Sequence, residues 1–127
     1  MESTDIALCK ELALYLYNIA PGQAQTILLI AALSPEGDVS QQEAYANDGQ
    51  KEEQFFTTDE EMLALHKLLS SHQQFMVNNN QPAWTRCDFT VTVATGKFSM
   101  QLGYEDNLFK HESLRASVDR APSPSRS

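Results

Sequence analysis

The stretch from Gln81 to Asp106, QPAWTRCDFTVTVATGKFSMQLGYED, decides the fold because its apolar residues alternate on both sides of a turn. In the first half the alternating apolar positions are Cys87, Phe89, Val91 and Val93. In the second half they are Phe98, Met100, Leu102 and Tyr104. Gly96, in the connection between them, supplies the permissive backbone that a tight turn needs. The pattern predicts a β-hairpin of two half-buried strands.

The rest of the chain predicts two helices and a second hairpin. Apolar residues recur at helical spacing over residues 6–19, and Pro21-Gly22 ends that element. Residues 25–33, QTILLIAAL, read as a buried strand, and the more polar run at 39–47 is expected to be its exposed or edge partner. A capping box at Thr58–Glu61 predicts the start of the second helix.

The resulting order is helix, strand, strand, helix, strand, strand, which predicts an α+β fold. The simplest arrangement is a two-layer sandwich, with one four-stranded antiparallel sheet and both helices against one face. The other face is then partly solvated and available to a partner. Residues 50–54 are expected to be a polar connection, followed by Phe55 and Phe56 as a short strand or a hydrophobic anchor. Residues 1–118 are expected to form a single domain and 119–127 a disordered tail.

Composition and charge restrict the classes of partner. The 127 residues include 42% hydrophobic ones, as in ordinary globular proteins, and no apolar run approaches the ~20 residues of a membrane helix. The N-terminus lacks the basic segment of a secretory signal, so a cytoplasmic location is expected. A net charge of −8 argues against nucleic acid or an anionic membrane as a direct partner. It permits a basic protein partner.

The sequence predicts no catalytic, cofactor or metal site, and therefore no enzyme. Cys9 and Cys87 fall on apolar faces and are expected to be buried thiols. His66 and His72 lie six residues apart on one predicted helix, hence on different faces, and cannot chelate a metal together. No nucleophile elbow or phosphate-binding loop is present in the sequence.

Surface recognition is the remaining class of function. The candidate contact residues are Asp48, Glu52, Glu53, Trp84, Tyr104, Glu105 and Asp106. A hairpin brings its outer ends side by side, so Trp84 should lie near Tyr104, and an aromatic pair rimmed by carboxylates is a recognised form of binding hot spot. The same two aromatic residues can equally close the core. The acidic helix start at residues 59–61 is the next candidate if the seven residues prove irrelevant.

Three short motifs near the C-terminal half also occur together in a known family. They are NNQPAWT at residues 79–85, TGKF at 95–98 and GYED at 103–106. On these motifs, over roughly residues 5–110, the chain resembles the YezG-like immunity proteins. Members of that family usually continue with a basic and aromatic segment, whereas this chain continues with HESLRASVDRAPSPSRS. Contacts that relatives make through that end are therefore not carried over.

The resemblance implies a small cytosolic antitoxin that protects bacteria from polymorphic toxins, including those of contact-dependent inhibition. Such proteins bind the toxin domain stoichiometrically, and that domain is often a nuclease. The acidity of this chain would suit a toxin with a basic nucleic-acid site. Two alternatives remain: an adaptor or secretion-chaperone-like module without a toxin, and a small hydrolase. The oligomeric state is left open.

Overall fold

A computed structural model describes residues 4–105 and Leu114. Its helices are α1 (Thr4–Ile19) and α2 (Asp59–Asn78), and its strands are β1 (Thr26–Leu33), β2 (Ser40–Asn47), β3 (Glu52–Phe55), β4 (Arg86–Thr92) and β5 (Lys97–Gly103). The strands form one sheet in the order β3-β2-β1-β4-β5, and all neighbours are antiparallel. The α+β class is confirmed. Neither of these helices combines the length and the apolar character needed to cross a membrane.

The sheet has five strands, so the predicted count of four was wrong. The missed strand is β3, which pairs with β2 from Asn47↔Glu52 to Ala44↔Phe55. Its sequence is EEQF. An edge strand is paired on one side only, and charged residues on it discourage pairing with a further strand. Residues 39–47 were predicted to be an exposed or edge partner of residues 25–33. The pairing with β1 is confirmed, but the edge position was wrong, since β2 lies between β1 and β3.

The main core lies between the two helices and one face of the sheet. Its fully buried members from the sheet are Ile27, Leu29, Ala31, Leu33, Cys87 and Phe89. The pairing of Leu29 with Phe89 and of Ala31 with Cys87 places these residues on one face. The helices contribute Leu12, Leu16, Leu65 and Leu69. Alternation in β4 and β5 thus produced the predicted hairpin, and Gly96 in its turn has a φ of 72°.

The opposite face of the sheet, which was expected to be partly solvated, carries a smaller buried cluster of its own. A second buried cluster there comprises Ile30, Ala32, Tyr45 and Leu114. The backbone N–H of Leu114 donates to a carboxylate oxygen of Glu43 at 2.7 Å, and Arg86 Nη2 donates to the Leu114 carbonyl at 3.4 Å. Leu114 is therefore held over the centre of this face by both apolar packing and hydrogen bonds.

The capping box fixes where α2 begins. Thr58 Oγ1 accepts from the N–H of Glu61 at 3.1 Å, and Glu61 Oε1 accepts from the N–H of Thr58 at 2.9 Å. This reciprocal pair satisfies backbone donors that the first turn leaves unpaired. Because only Phe56 and Thr57 separate β3 from this cap, the first turn of α2 starts next to the edge of the sheet.

Candidate binding surface

The candidate contact residues occupy two opposite corners of the sheet. Asp48, Glu52 and Glu53 lie on the β2–β3 hairpin at one edge, and Tyr104 and Glu105 follow β5 at the other. Four strand spacings of about 4.8 Å separate the two edges by about 19 Å. The register also places Glu52 at the end of the sheet where β5 begins, whereas Tyr104 and Glu105 follow the end of β5. The two sets therefore do not form one compact surface.

Trp84 belongs to the core, and Asp106 lies outside the described residues. The Trp84 side chain is 0% exposed. Its indole Nε1–H donates to Nδ1 of His72 at 3.1 Å, and its carbonyl accepts from the Gln73 side chain at 2.7 Å. Trp84 thus offers no surface to a partner, and core closure is the role its packing supports. Tyr104, by contrast, is 50% exposed.

A buried polar cluster joins α1, α2 and the loop before β4. His72 Nε2 lies 2.6 Å from Asp5 Oδ1, and His72 is only 3% exposed. An indole N–H can only donate, so Nδ1 of His72 must accept and carries no proton. The neutral imidazole therefore has its proton on Nε2, which donates to Asp5. Each polar atom of the ring has a partner, as a buried histidine requires.

The same cluster is the one group in the described part of the chain with metal-ligand chemistry. Ligand atoms of Asp5, Cys9 and His72 lie within 4.8 Å of one another. A metal on Nε2 would require the His72 proton to move to Nδ1, where it would face the Trp84 donor. The direct contact between Nε2 and Asp5 also occupies the position of an ion. The residues therefore do not fit a metal site in this arrangement.

Cys9 is not arranged as a nucleophile. Its Sγ lies 3.9 Å from Asp5 Oδ1, and its hydrogen bond is to that carboxylate rather than to an imidazole. Burial, and then the negative charge of Asp5, raise the pKa of the Cys9 thiol from 9.0 to about 11. Cys9 is therefore protonated at neutral pH, when a nucleophilic cysteine must be a thiolate. Burial also raises the pKa of Cys87, and both cysteines are buried free thiols as predicted.

The strongest concentration of charge lies on the β3 edge and the start of α2. Residues 48–61 contain six acidic residues and one lysine, a net charge of −5 within a chain total of −8. We call this segment the acidic edge; its acidic residues are Asp48, Glu52, Glu53, Asp59, Glu60 and Glu61. The structure thus brings one predicted acidic set next to the acidic helix start. Only residues 56–58 separate β3 from α2, so the two acidic candidates follow each other along one exposed segment.

Within the acidic edge the carboxylates have different local roles. Asp48 accepts from the N–H groups of Lys51 and Gln50, and these bonds lower the pKa of its carboxyl group. Glu53 lies 3.4 Å from the Lys51 ammonium in an exposed ion pair. Glu61 completes the helix cap. Asp59 and Glu60 are exposed in the first turn of α2 and face solvent.

Phe56 projects from the middle of the acidic edge. It is 83% exposed, the most exposed large apolar side chain among the described residues. Met62 and Leu63, on the first turns of α2, are 41% and 53% exposed. Phe56 and Met62 line a small cleft of about 70 Å³. An exposed aromatic side chain within an acidic segment, with smaller apolar groups on the adjoining helix, has the composition of a binding hot spot.

Sequence reasoning named the acidic residues but missed the role of Phe56. The signal was present, because Phe55 and Phe56 are adjacent, and successive residues of an extended chain point to opposite faces. Phe55 packs against the core, so its neighbour is directed away from it. Recognising this required assigning β3 as a strand.

Comparison with known proteins adds no family assignment. No protein-family model and no curated protein matches the chain. The resemblance to YezG-like immunity proteins therefore stays a prediction from the sequence. The structure places its three motifs in the loop before β4, the β4–β5 turn and the end of β5, except for Asp106, which is not described.

Proposed function

We propose that this chain is a cytoplasmic immunity protein that binds a toxin domain stoichiometrically and neutralises it, the toxin being a basic nuclease. The observation that carries the proposal is the exposure of Phe56 in the middle of the acidic edge. The motif resemblance suggests that the partner is a toxin domain. The negative charge of the acidic edge suggests that the partner's contact surface is positively charged. The protein acts by binding and not by catalysis.

The acidic edge provides a physical route to inhibition. A nuclease must present cationic groups to bind phosphates, and a cluster of carboxylates can occupy the same groups. Charge complementarity accelerates the encounter and disfavours acidic partners. Phe56 then supplies the apolar anchor that holds the complex, since charge pairs at an interface rim contribute mainly to association rate.

Co-expression tests the function directly. The probe is the C-terminal domain of a large toxin-like protein, if one is encoded beside this chain, expressed from an inducible promoter. We expect the chain to restore growth and to copurify with that domain in a one-to-one complex. Copurification without growth rescue would contradict neutralisation and support the adaptor alternative. Failure of both would contradict the immunity role altogether.

Phe56→Ala is expected to weaken toxin binding by about 30-fold or more, which corresponds to the loss of about 2 kcal/mol typical of a hot-spot residue. Isothermal titration calorimetry with the purified toxin domain measures the effect. The matched control is Val39→Ala, which truncates an apolar side chain that is 52% exposed just before β2 and outside the acidic edge. Equal affinity of the two variants for the toxin domain would mean that Phe56 is not the apolar anchor.

Charge reversal at Asp59 and Glu60 to lysine is expected to slow association by about tenfold at low salt and to reduce its salt dependence. Stopped-flow kinetics at several ionic strengths provide the measurement. Glu36→Lys changes an exposed carboxylate in the β1–β2 turn, outside the acidic edge, and should have a smaller effect. If Glu36→Lys slows association as much per charge, net charge rather than the acidic edge governs the encounter.

A further inference from the structure

Strand β5 has an unpaired outer edge in the described part of the chain. It is the last strand of the sheet, and its seven residues, KFSMQLG, contain one charge and no proline. The devices that usually protect an edge strand are therefore few. The other edge, β3, has four residues and two glutamates. The two edges of this sheet differ in their capacity to pair with another strand.

The register identifies which backbone groups face outward from β5. The N–H of Leu33 donates to the carbonyl of Thr85, so the odd-numbered residues of β4 direct their backbone groups toward β1. Its even-numbered residues consequently direct theirs toward β5. Because Thr90 pairs with Ser99, the odd-numbered residues of β5 bond to β4. The outward-facing backbone groups are those of Phe98, Met100 and Leu102.

We propose that β5 pairs antiparallel with β5 of a second copy of this chain, in a register centred on Met100. This register places Met100 opposite Met100 of the second copy and Phe98 opposite Leu102 of the second copy. All three outward-facing residues of each strand then exchange N–H and C=O bonds. A shift of the centre by one or more residues in either direction leaves some of these groups without a partner.

Side-chain polarity is symmetric about the same centre. Phe98, Met100 and Leu102 lie on the helix side of the sheet, are half-buried and pack at the margin of the main core. Pairing would place this apolar row beside the same row of the second copy. Ser99 and Gln101, on the other face, would pair with each other as polar neighbours. Cross-strand pairs of matched polarity stabilise a sheet.

The charges at the two ends of β5 are complementary in this orientation. Lys97 begins the strand, and its partner position in the second copy is Gly103. Glu105 Oε1 lies where a side chain on Gly103 would stand, because a Cβ built on Gly103 meets that oxygen. The carboxylate of Glu105 therefore occupies the position opposite Lys97 of the second copy. Two-fold symmetry would create this ion pair at both ends of the interface.

A groove beside β5 provides an apolar contact for the same arrangement. It has a volume of about 390 Å³ and is lined mainly by residues of α1 and the β4–β5 hairpin, among them Leu14, Tyr17, Gly96 and Phe98. Leu14 and Tyr17 are 61% and 55% exposed. Extending the register by one residue past Gly103 places Tyr104 of the second copy opposite Gly96. Gly96 has open space where a side chain would stand, so this exposed tyrosine would meet the groove.

The interface is separate from the acidic edge. In the paired sheet both β5 strands lie at the centre, and both β3 strands lie at the outer ends. Each copy would keep its acidic edge exposed to a toxin. The dimer therefore does not depend on the proposed function, and each can fail without the other.

Sedimentation velocity over a range of concentrations tests the dimer, with two charge variants and their mixture. The native chain is expected to sediment as a dimer at high concentration. Lys97→Glu and Glu105→Lys should each raise the dissociation constant at least about tenfold, because either one places like charges at both ends of the interface. Mixing the two variants should restore dimers. At one end the introduced glutamate then faces the introduced lysine, and at the other end the native Lys97 and Glu105 still face each other.

Restoration on mixing supports the proposal because a folding defect in either variant would not be repaired by the other. Tyr104→Ala should weaken the native dimer, while Val39→Ala, remote from β5, should not. A native chain that remains monomeric up to about 1 mM overturns the proposal. So does a dimer that is unaffected by both charge reversals, because its interface then lies elsewhere.

Discussion

Replacing Trp84 with alanine is expected to lower the free energy of unfolding by about 3–5 kcal/mol, the largest loss expected from any single change discussed for this chain. The side chain is fully buried in the main core, so its truncation would remove apolar contacts and leave a cavity. The variant would also remove the donor that pairs with His72 Nδ1. Urea unfolding, with the slope compared between variants, measures the loss.

The tryptophan also has a polar role that a phenylalanine cannot perform. Trp84→Phe keeps most of the apolar volume but leaves Nδ1 of His72 without its donor, so we expect a loss of about 1–3 kcal/mol. A double-mutant cycle with His72→Phe isolates this contact, and a coupling energy above about 0.5 kcal/mol is expected. Additive effects of the two changes would contradict the hydrogen bond and the tautomer assigned to His72.

Tyr104→Ala is the matched control for the alanine variant. Both aromatic residues were candidates for the same surface, and sequence reasoning left core closure open for each. Tyr104 is 50% exposed, so its truncation should change stability by no more than about 0.5 kcal/mol when the chain is monomeric. A comparable loss for the two variants would mean that Trp84 is not the buried member of the pair.

Local signals in the sequence predicted much of this fold. The β4–β5 hairpin depends on alternation and on one turn glycine, and both are visible within a few residues. The start of α2 depends on Thr58 and Glu61, which contact each other across a single turn. Interactions of this range require no knowledge of the tertiary structure. A turn glycine and a capping box also accept few residue types, which makes them recognisable in a sequence.

Strand β3 was not predicted because it lies at the edge of the sheet, and the acidic edge around Phe56 was missed with it. Glu52 and Glu53 are incompatible with a buried strand, and the alternation that identifies a half-buried strand is absent from EEQF. Hydrogen bonds to β2 define this strand, and they depend on residues five or more positions away in sequence. Without β3, Phe56 could not be assigned to the exposed side. The acidic helix start then looked like a separate candidate.

Buried polar residues were the other gap. His72 and Gln73 are each 3% exposed, although polar residues of a helix are expected to face solvent. His72 contacts Asp5, 67 residues away in sequence, and Gln73 donates to the carbonyls of Ser34 and Trp84. A sequence pattern cannot supply such partners. Their burial is tolerated because each finds hydrogen bonds within the fold.

Leu114→Ala is expected to destabilise the chain by about 2–4 kcal/mol, even though it lies beyond the last strand of the sheet. Leu114 is 2% exposed and covers Ile30 and Ala32 on the face opposite α1 and α2. Removing its methyl groups would uncover that cluster or leave a cavity above it. The backbone bonds of Leu114 to Glu43 and Arg86 are independent of its side chain and would remain.

Two truncated chains extend the test of Leu114. A chain ending at Val118 retains this residue and is expected to unfold at the same urea concentration as the full chain, in agreement with a domain of residues 1–118. A chain ending at Glu105 should lose at least as much stability as Leu114→Ala, because the backbone N–H and C=O of Leu114 that bond to Glu43 and Arg86 are lost as well. If Leu114→Ala and the chain ending at Glu105 both unfold like the full chain, Leu114 does not stabilise the sheet. If only the chain ending at Glu105 is destabilised, the backbone contacts rather than the leucine side chain hold this segment to the sheet.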